Sequence, residues 1–284
     1  MQQVNGSNFN SGIIKRFAAV LQAVFVGFMV SSAGIATWSL FLLKFKAPWS
    51  AIPILPMLWI YLKWFSGSWP PKSNQQTRRN RFRRRHLSAT NLTGGLAAAL
   101  LFVVIVQSSF VITFRVFEFP ADQFTADYKI VDTMPLTVGW IVIVVSSIVA
   151  GICEETGFRG YMQVPLENKF GPVAGIFITS MVFMLIHLTH RWAAPIIPHI
   201  FFASVLLGIL AYRSGSLIPG IIGHSILDIF DYGIWWTKIT GGFNKKTIFY
   251  TGIDIHFVVF CLIFGLALFC FFKIISKLKP GNQQ

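Results

Sequence analysis

Long apolar runs joined by short polar stretches dominate this chain. Eight runs stand out: Phe17 to Leu43, Ala51 to Phe65, Leu92 to Phe114, Leu136 to Cys153 and onward, Val173 to Leu188, Ala194 to Tyr212, Leu217 to Trp236, and Ile253 to Phe272. Crossing a hydrocarbon core of about 30 Å takes roughly 20 apolar residues in a helix. Most runs meet that length; the second is short. Pro and Gly mark several ends, as at Pro70-Pro71, Pro135, Gly171-Pro172 and Leu217 to Gly220. The pattern predicts an all-α polytopic membrane protein with about eight transmembrane helices. No internal repeat or separate soluble domain is visible. The division expected is an N-terminal two-helix membrane region over residues 1–90 and a second region over 91–284 with its core at 136–231. The first fifteen residues are polar and the first apolar run exceeds a secretory h-region, so no cleaved signal peptide is expected.

Composition agrees with a fold in lipid: 54% of residues are hydrophobic and 12% charged, and the mean hydropathy is +0.64. The net charge of +14 would suit nucleic acid were it spread differently. No Asp or Glu precedes Glu118, and the densest basic run, Arg78, Arg79, Arg81, Arg83, Arg84 and Arg85, falls between two apolar segments. There it reads as an orientation signal in contact with anionic membrane lipid, and a nucleic-acid partner is not expected. Lys15-Arg16, the arginine run, and Lys273, Lys277 and Lys279 all fall on one side of an eight-helix count. A multi-pass protein of the cell (inner) membrane with both termini in the cytoplasm follows. The acidic loop from Arg115 to Met134 takes the opposite side; Lys245-Lys246 falls there too, against the rule. Cys153, Cys261 and Cys270 sit in or beside apolar segments without a CxxC spacing, so neither a disulfide framework nor a cysteine metal site is expected.

Ionisable side chains within apolar segments carry the candidate chemistry, because such groups are costly at membrane depth and face the bundle interior. Glu154-Glu155 with Arg159, Phe183 with His187, and His224 with Asp228 are the three groups. Residues four apart share a helix face, which pairs Glu155 with Arg159 and His224 with Asp228. Glu154 then points about 100° away from Glu155, toward a cavity where a carboxylate acts as a general base. If Pro165 and Pro172 flank one turn, a rise of about 1.5 Å per residue brings Glu154 and His187 to similar heights. One buried site opening toward the cytoplasm is then expected.

Plainer readings stand beside these. Glu154-Glu155 could mark a helix leaving the membrane, with Arg159 as a flanking anchor; His187 could be interfacial with His190 and Arg191; His224 and Asp228 could form a structural pair. Phe183 is expected to pack against the site. His199, which fits none of the groups, reads as packing or cavity lining. Trp49, Trp69 and Trp235-Trp236 read as interfacial belt residues, and His86 as solvated.

The succession EExxxR, FxxxH and HxxxD on separate membrane segments resembles the pattern of the CPBP family, bacterial relatives of the type II CAAX prenyl endopeptidases, over Leu136 to Asp231. The resemblance implies an intramembrane endopeptidase that hydrolyses a peptide bond in or near the membrane. By it, Glu154 and His187 activate a water, while His224 and Asp228 stabilise the oxyanion or help bind a metal; Glu155, Arg159 and Phe183 support them. Substrates would be peptides or membrane proteins, lipidated or not, cleaved in CAAX-type or leader- and toxin-peptide processing. Asp228 departs from the Asn of the prenyl endopeptidases, which puts prenyl specificity in question. An ionised Asp donates no hydrogen bond, whereas Glu154, His187, His224 and Asp228 together make a ligand set suited to zinc. A metal-bound and a metal-free water both remain open on the residues. The alternative on the same scaffold is a non-catalytic immunity or partner-binding protein; a transporter with a proton relay is a further one.

The orientation has a direct check. Reporter fusions after Gly67, Arg85 and Lys279 should report cytoplasm, and fusions near Asp122 the opposite side. A signal from the far side at the Arg78 to Arg85 run would reverse the topology.

Overall fold

The computed structural model describes residues 6–83, 89–239 and 246–278. The expectations placed on Arg84, Arg85, His86, Lys245 and Lys279 lie outside the described residues. All eight apolar runs are helical, and no strand occurs among the described residues. The α-helices of eight residues or more are α1 (Gly6–Phe45), α2 (Ala51–Phe65), α3 (Ala89–Val116), α4 (Leu136–Glu154), α5 (Gln163–Phe170), α6 (Pro172–His187), α7 (Ile197–Ser214), α8 (Ile218–Phe230) and α9 (Ile255–Lys277). Five stretches are long and apolar enough to cross a membrane by length and composition, while Ala51–Phe65 and Pro172–His187 are shorter apolar helices. The chain is an all-α polytopic membrane protein.

Two of the helical rods are not uniform. Between α4 and α5 the backbone widens into a π-helical stretch, Glu155–Met162, so that Leu136–Phe170 runs as one span of 35 residues. A second π-helical stretch, Asp231–Trp236, extends α8. Such widenings are frequent at functional sites. The rod does not end at Glu154-Glu155: it continues, buried through most of its length, to Gly171, whose φ of 86° makes the turn into Pro172.

Small residues set how closely the rods approach. The α1 helix lies along the first π stretch; a Cβ on Gly157 would stand 2.5 Å from the Gly27 carbonyl oxygen and 2.6 Å from Ser31 Cβ. The α8 helix packs on α4 and α3, α6 on α5 and α7, and α9 on α3. The main core is aromatic. Trp235 packs on Phe110, Phe114 and Phe119 with ring centroids 5.5–5.6 Å apart, and Trp236 on Trp192 at 4.8 Å. Trp235 and Trp236 are thus core residues, not belt residues, because the second π stretch keeps the rod going and turns both indoles inward. Trp49 and Trp69 are exposed, as expected.

The arginine segment also departs from the sequence reading. Arg78 is buried, donates to the carbonyls of Trp64, Trp69 and Pro71, and stacks on the Trp64 ring. Arg83 is buried as well: its Nη2 lies 2.8 Å from Glu167 Oε2 and its Nε donates to the Arg159 carbonyl. Arg83 therefore ties the connection after α2 to the α4–α5 rod, and Arg78 braces that connection against the end of α2, where the sequence alone suggested contact with lipid headgroups.

If the α1 contact is as close as it stands, Gly157→Ala should lower the melting temperature of detergent-solubilised protein, by the equivalent of about 1–3 kcal/mol for overpacking. Gly265→Ala, where a Cβ meets nothing within 4 Å, should be neutral. Equal melting of both variants and wild type would contradict the packing.

Candidate active site

Burial of Arg159 organises the polar centre. It is wholly buried, and a guanidinium there needs both a counter-charge and donor partners. Glu155, one turn back and equally buried, places Oε1 3.0 Å from Arg159 Nη1 as an ion pair. Nη2 donates to Ser204 Oγ at 3.0 Å on α7, and the guanidinium stacks over the Phe183 ring of α6 at 4.6 Å. One side chain of the π stretch thus binds both neighbouring helices.

Glu155 passes the order on to α8. Its Oε1 stands 2.8 Å from His224 Nδ1, and since a carboxylate only accepts, Nδ1 carries the hydrogen and Nε2 faces away from Glu155. There Nε2 meets Glu154 Oε2 at 3.7 Å and Asp228 Oδ1 at 3.6 Å. The expected face-sharing of His224 with Asp228 is present, and Glu154 approaches the same ring from α4. Gly220 leaves room for this arrangement, because a Cβ there would lie 3.0 Å from Glu155 Oε2. Glu154 Oε2 is buried without a hydrogen-bond partner.

His187 is the last residue of α6. Its Nδ1 lies 2.7 Å from the Phe183 carbonyl, so that nitrogen too holds a hydrogen and leaves Nε2 free. The Phe183 ring lies 4.4 Å from His187 and 6.2 Å from His224, filling the space between them as expected. His187, His224 and Asp228 line one cavity of about 70 Å³ with Phe183, Trp192 and His199. His199 is a lining residue, stacked on Phe110 and bonded to Thr113.

The cavity lies toward the Arg115 to Met134 loop. His190, just beyond α6, comes within 3.8 Å of Asp127 in that loop, whereas α6 begins beside Glu167, the partner of Arg83. An opening on the arginine side was expected from a turn near Pro165; the rod runs on to Phe170 instead, carrying the site toward the other end.

One residue that the motifs omit belongs to the wall, and a second stands behind it. Asp231 is buried, lines the same cavity, and accepts from Gln107 Nε2, whose Oε1 accepts from Trp235 Nε1 at 2.9 Å. Asp231 follows Asp228 by three residues and shares its face, a signal present in the spacing; Gln107, on a distant helix, gave none.

As chemistry, two imidazoles with occupied Nδ1 atoms beside two carboxylates make a ligand set. As geometry, no group of three His, Cys, Asp or Glu among the described residues is arranged to hold a metal ion. The donors as they stand do not fit a metal.

Removing Arg159 would leave Glu155 buried and uncompensated, at about 3–5 kcal/mol. Arg159→Ala should therefore reduce the amount of protein recovered in detergent extracts well below that of wild type or Glu154→Gln. Equal recovery of all three would count against the ion pair as the organiser.

Residues 135–230 match the family model described as type II CAAX prenyl endopeptidase Rce1-like, a segment shorter than half the chain that includes Glu154, His187, His224 and Asp228. No curated protein and no solved structure matches. Over residues 135–230, which carry those four side chains on α4, α6 and α8, the protein thus resembles the CPBP/CAAX protease family.

Proposed function

We propose that the protein is an intramembrane endopeptidase in which Glu154 is the general base. The observation that carries this reading is the chain Arg159–Glu155–His224, which fixes one imidazole beside an unpartnered, buried Glu154 oxygen. Glu154 takes a proton from a water as its oxygen bonds to the substrate carbonyl carbon. The same proton then passes to the amide nitrogen as the C–N bond breaks. His187, held by the Phe183 carbonyl, orients the water through Nε2. His224, when protonated at Nε2, donates to the oxyanion, and Asp228 stands as the partner of that cation. Glu155 and Arg159 keep the ring in place without touching the substrate. The substrate is a peptide at the membrane, of the CAAX or leader-peptide type, reaching the cavity beside Trp192. The arginine segment, Lys15-Arg16 and both termini face the cytoplasm in this reading.

Cleavage of a farnesylated and of an unmodified membrane peptide by purified protein tests it. Glu154→Gln should lose at least about a hundredfold in rate, the usual contribution of a positioned base, at unchanged abundance. Activity of Glu154→Gln at the wild-type rate would instead favour a non-catalytic immunity or scaffold role. Asp228→Asn, with and without a chelator, separates the two waters. Chelator-resistant cleavage by both proteins fits the metal-free mechanism; a chelator-sensitive wild type with a dead Asn variant would sink it.

A further inference from the structure

A second and larger cavity, of about 420 Å³, lies between α3, α9 and the end of α8. It falls in the size range of ligand sites, about 300–1,000 Å³. Its α3 wall runs from Val103 through Val111 to Arg115, a length of roughly 18 Å at 1.5 Å per residue. Val104, Phe230 and Ile263 on its lining are exposed, so the trough opens sideways, toward the bilayer in a membrane-embedded bundle. Apart from Gln107 and Ser108 partway along α3, the polar residues of the lining stand at one end. There, where α3 ends and α9 begins, stand Arg115 and His256.

The partners of those two residues define what the end presents. Arg115 gives Nη2 to Asp254 and Thr251, both at 2.8 Å, and Nη1 to His256 Nδ1 at 3.0 Å. An arginine only donates, so His256 Nδ1 accepts and its Nε2 carries the hydrogen. Arg115 is 5% exposed, and its Nε has no partner. Two N–H donors, Arg115 Nε and His256 Nε2, therefore remain at the head of an apolar trough, at the level of the helix ends. Basic pockets between membrane helices on the cytoplasmic or matrix side bind lipid headgroups, and N–H donors offer lipid phosphate the same hydrogen bonds at this opposite end.

We infer that this trough holds one acyl chain of a glycerophospholipid whose phosphate or ester oxygens accept from Arg115 and His256, in the leaflet opposite the arginine segment. The inference does not rest on the peptidase reading, because Val104, Ile263, Arg115 and His256 take no part in the proposed catalysis.

Native mass spectrometry of the detergent-purified full chain, incubated with dioleoylphosphatidylglycerol, reads the site directly. Wild type should keep one lipid through detergent exchange. Val104→Trp, which fills the trough from α3, should reduce that fraction at least fivefold, and His256→Phe, which keeps a ring but removes the donor, should reduce it measurably. Should Val104→Trp fail to accumulate, Ile263→Trp fills the same space from α9. No retained lipid in wild type, or equal retention in the filled variant, overturns the proposal. So does displacement of the lipid by a farnesylated peptide at equal concentration, which would make the trough a seat for a substrate tail. Cleavage by Val104→Trp is measured in parallel: its rate on an unmodified peptide should be that of wild type, so a loss of lipid there is separate from any failure of the active-site assignment.

Discussion

A guanidinium buried among membrane helices has no water to fall back on, so the groups around Arg159 neutralise and brace it. Glu155 supplies the charge, Ser204 the acceptor and Phe183 the π-face. These come from the rod's own π stretch, from α7 and from α6, and Glu155 in turn takes His224 from α8. Four segments are located by one cation. The catalytic candidates inherit this: His224 is oriented by a carboxylate whose other duty is neutralising Arg159, and Phe183 spaces His187 from His224 while stacking on the same guanidinium. Close approach by the α1 backbone, which Gly27 and Gly157 allow, shuts the remaining side of the π stretch.

Much of this was legible in the residues, for a physical reason. Apolar runs announce helices because lipid leaves the backbone no other partner, and all eight runs are helical. Charges inside such runs stand out for the same reason, so Glu154, Glu155, Arg159, His187, His224 and Asp228 could be picked out before any fold was known. Spacing of four then paired Glu155 with Arg159 and His224 with Asp228, even though the first pair sits in a π-helical turn.

What escaped was anything that depends on how one rod lies against another. Nothing local shows that Arg78 and Arg83 turn inward, since exposed and buried arginines look alike until the carbonyls of Trp64 and Trp69, or Glu167, are in place. Trp235 and Trp236 looked interfacial because they end an apolar run, and only the π-helical continuation turns them into the core. The site's displacement toward the Arg115 to Met134 loop followed from a rod that outlasts Pro165. Gln107 gave no signal at all, being one polar residue in an apolar helix until Asp231 arrives from more than a hundred positions away.

The uneven rod has a consequence for how the protein is made. Residues from Leu136 to Cys153 are apolar enough to enter a bilayer unaided, but the continuation carries Glu154, Glu155, Arg159, Glu167 and Lys169. Each such charge near the centre of an inserting helix costs about 2.5–3.5 kcal/mol. Both α1 and the arginine segment precede this half in the chain and pack on it, Arg83 meeting Glu167 and Gly27 meeting Gly157. Ser204, His224 and Asp228 emerge only later. Without α8 the acidic pair has Arg159 as its partner, and it is α8 that adds the His224 imidazole beside both carboxylates and so completes the polar centre.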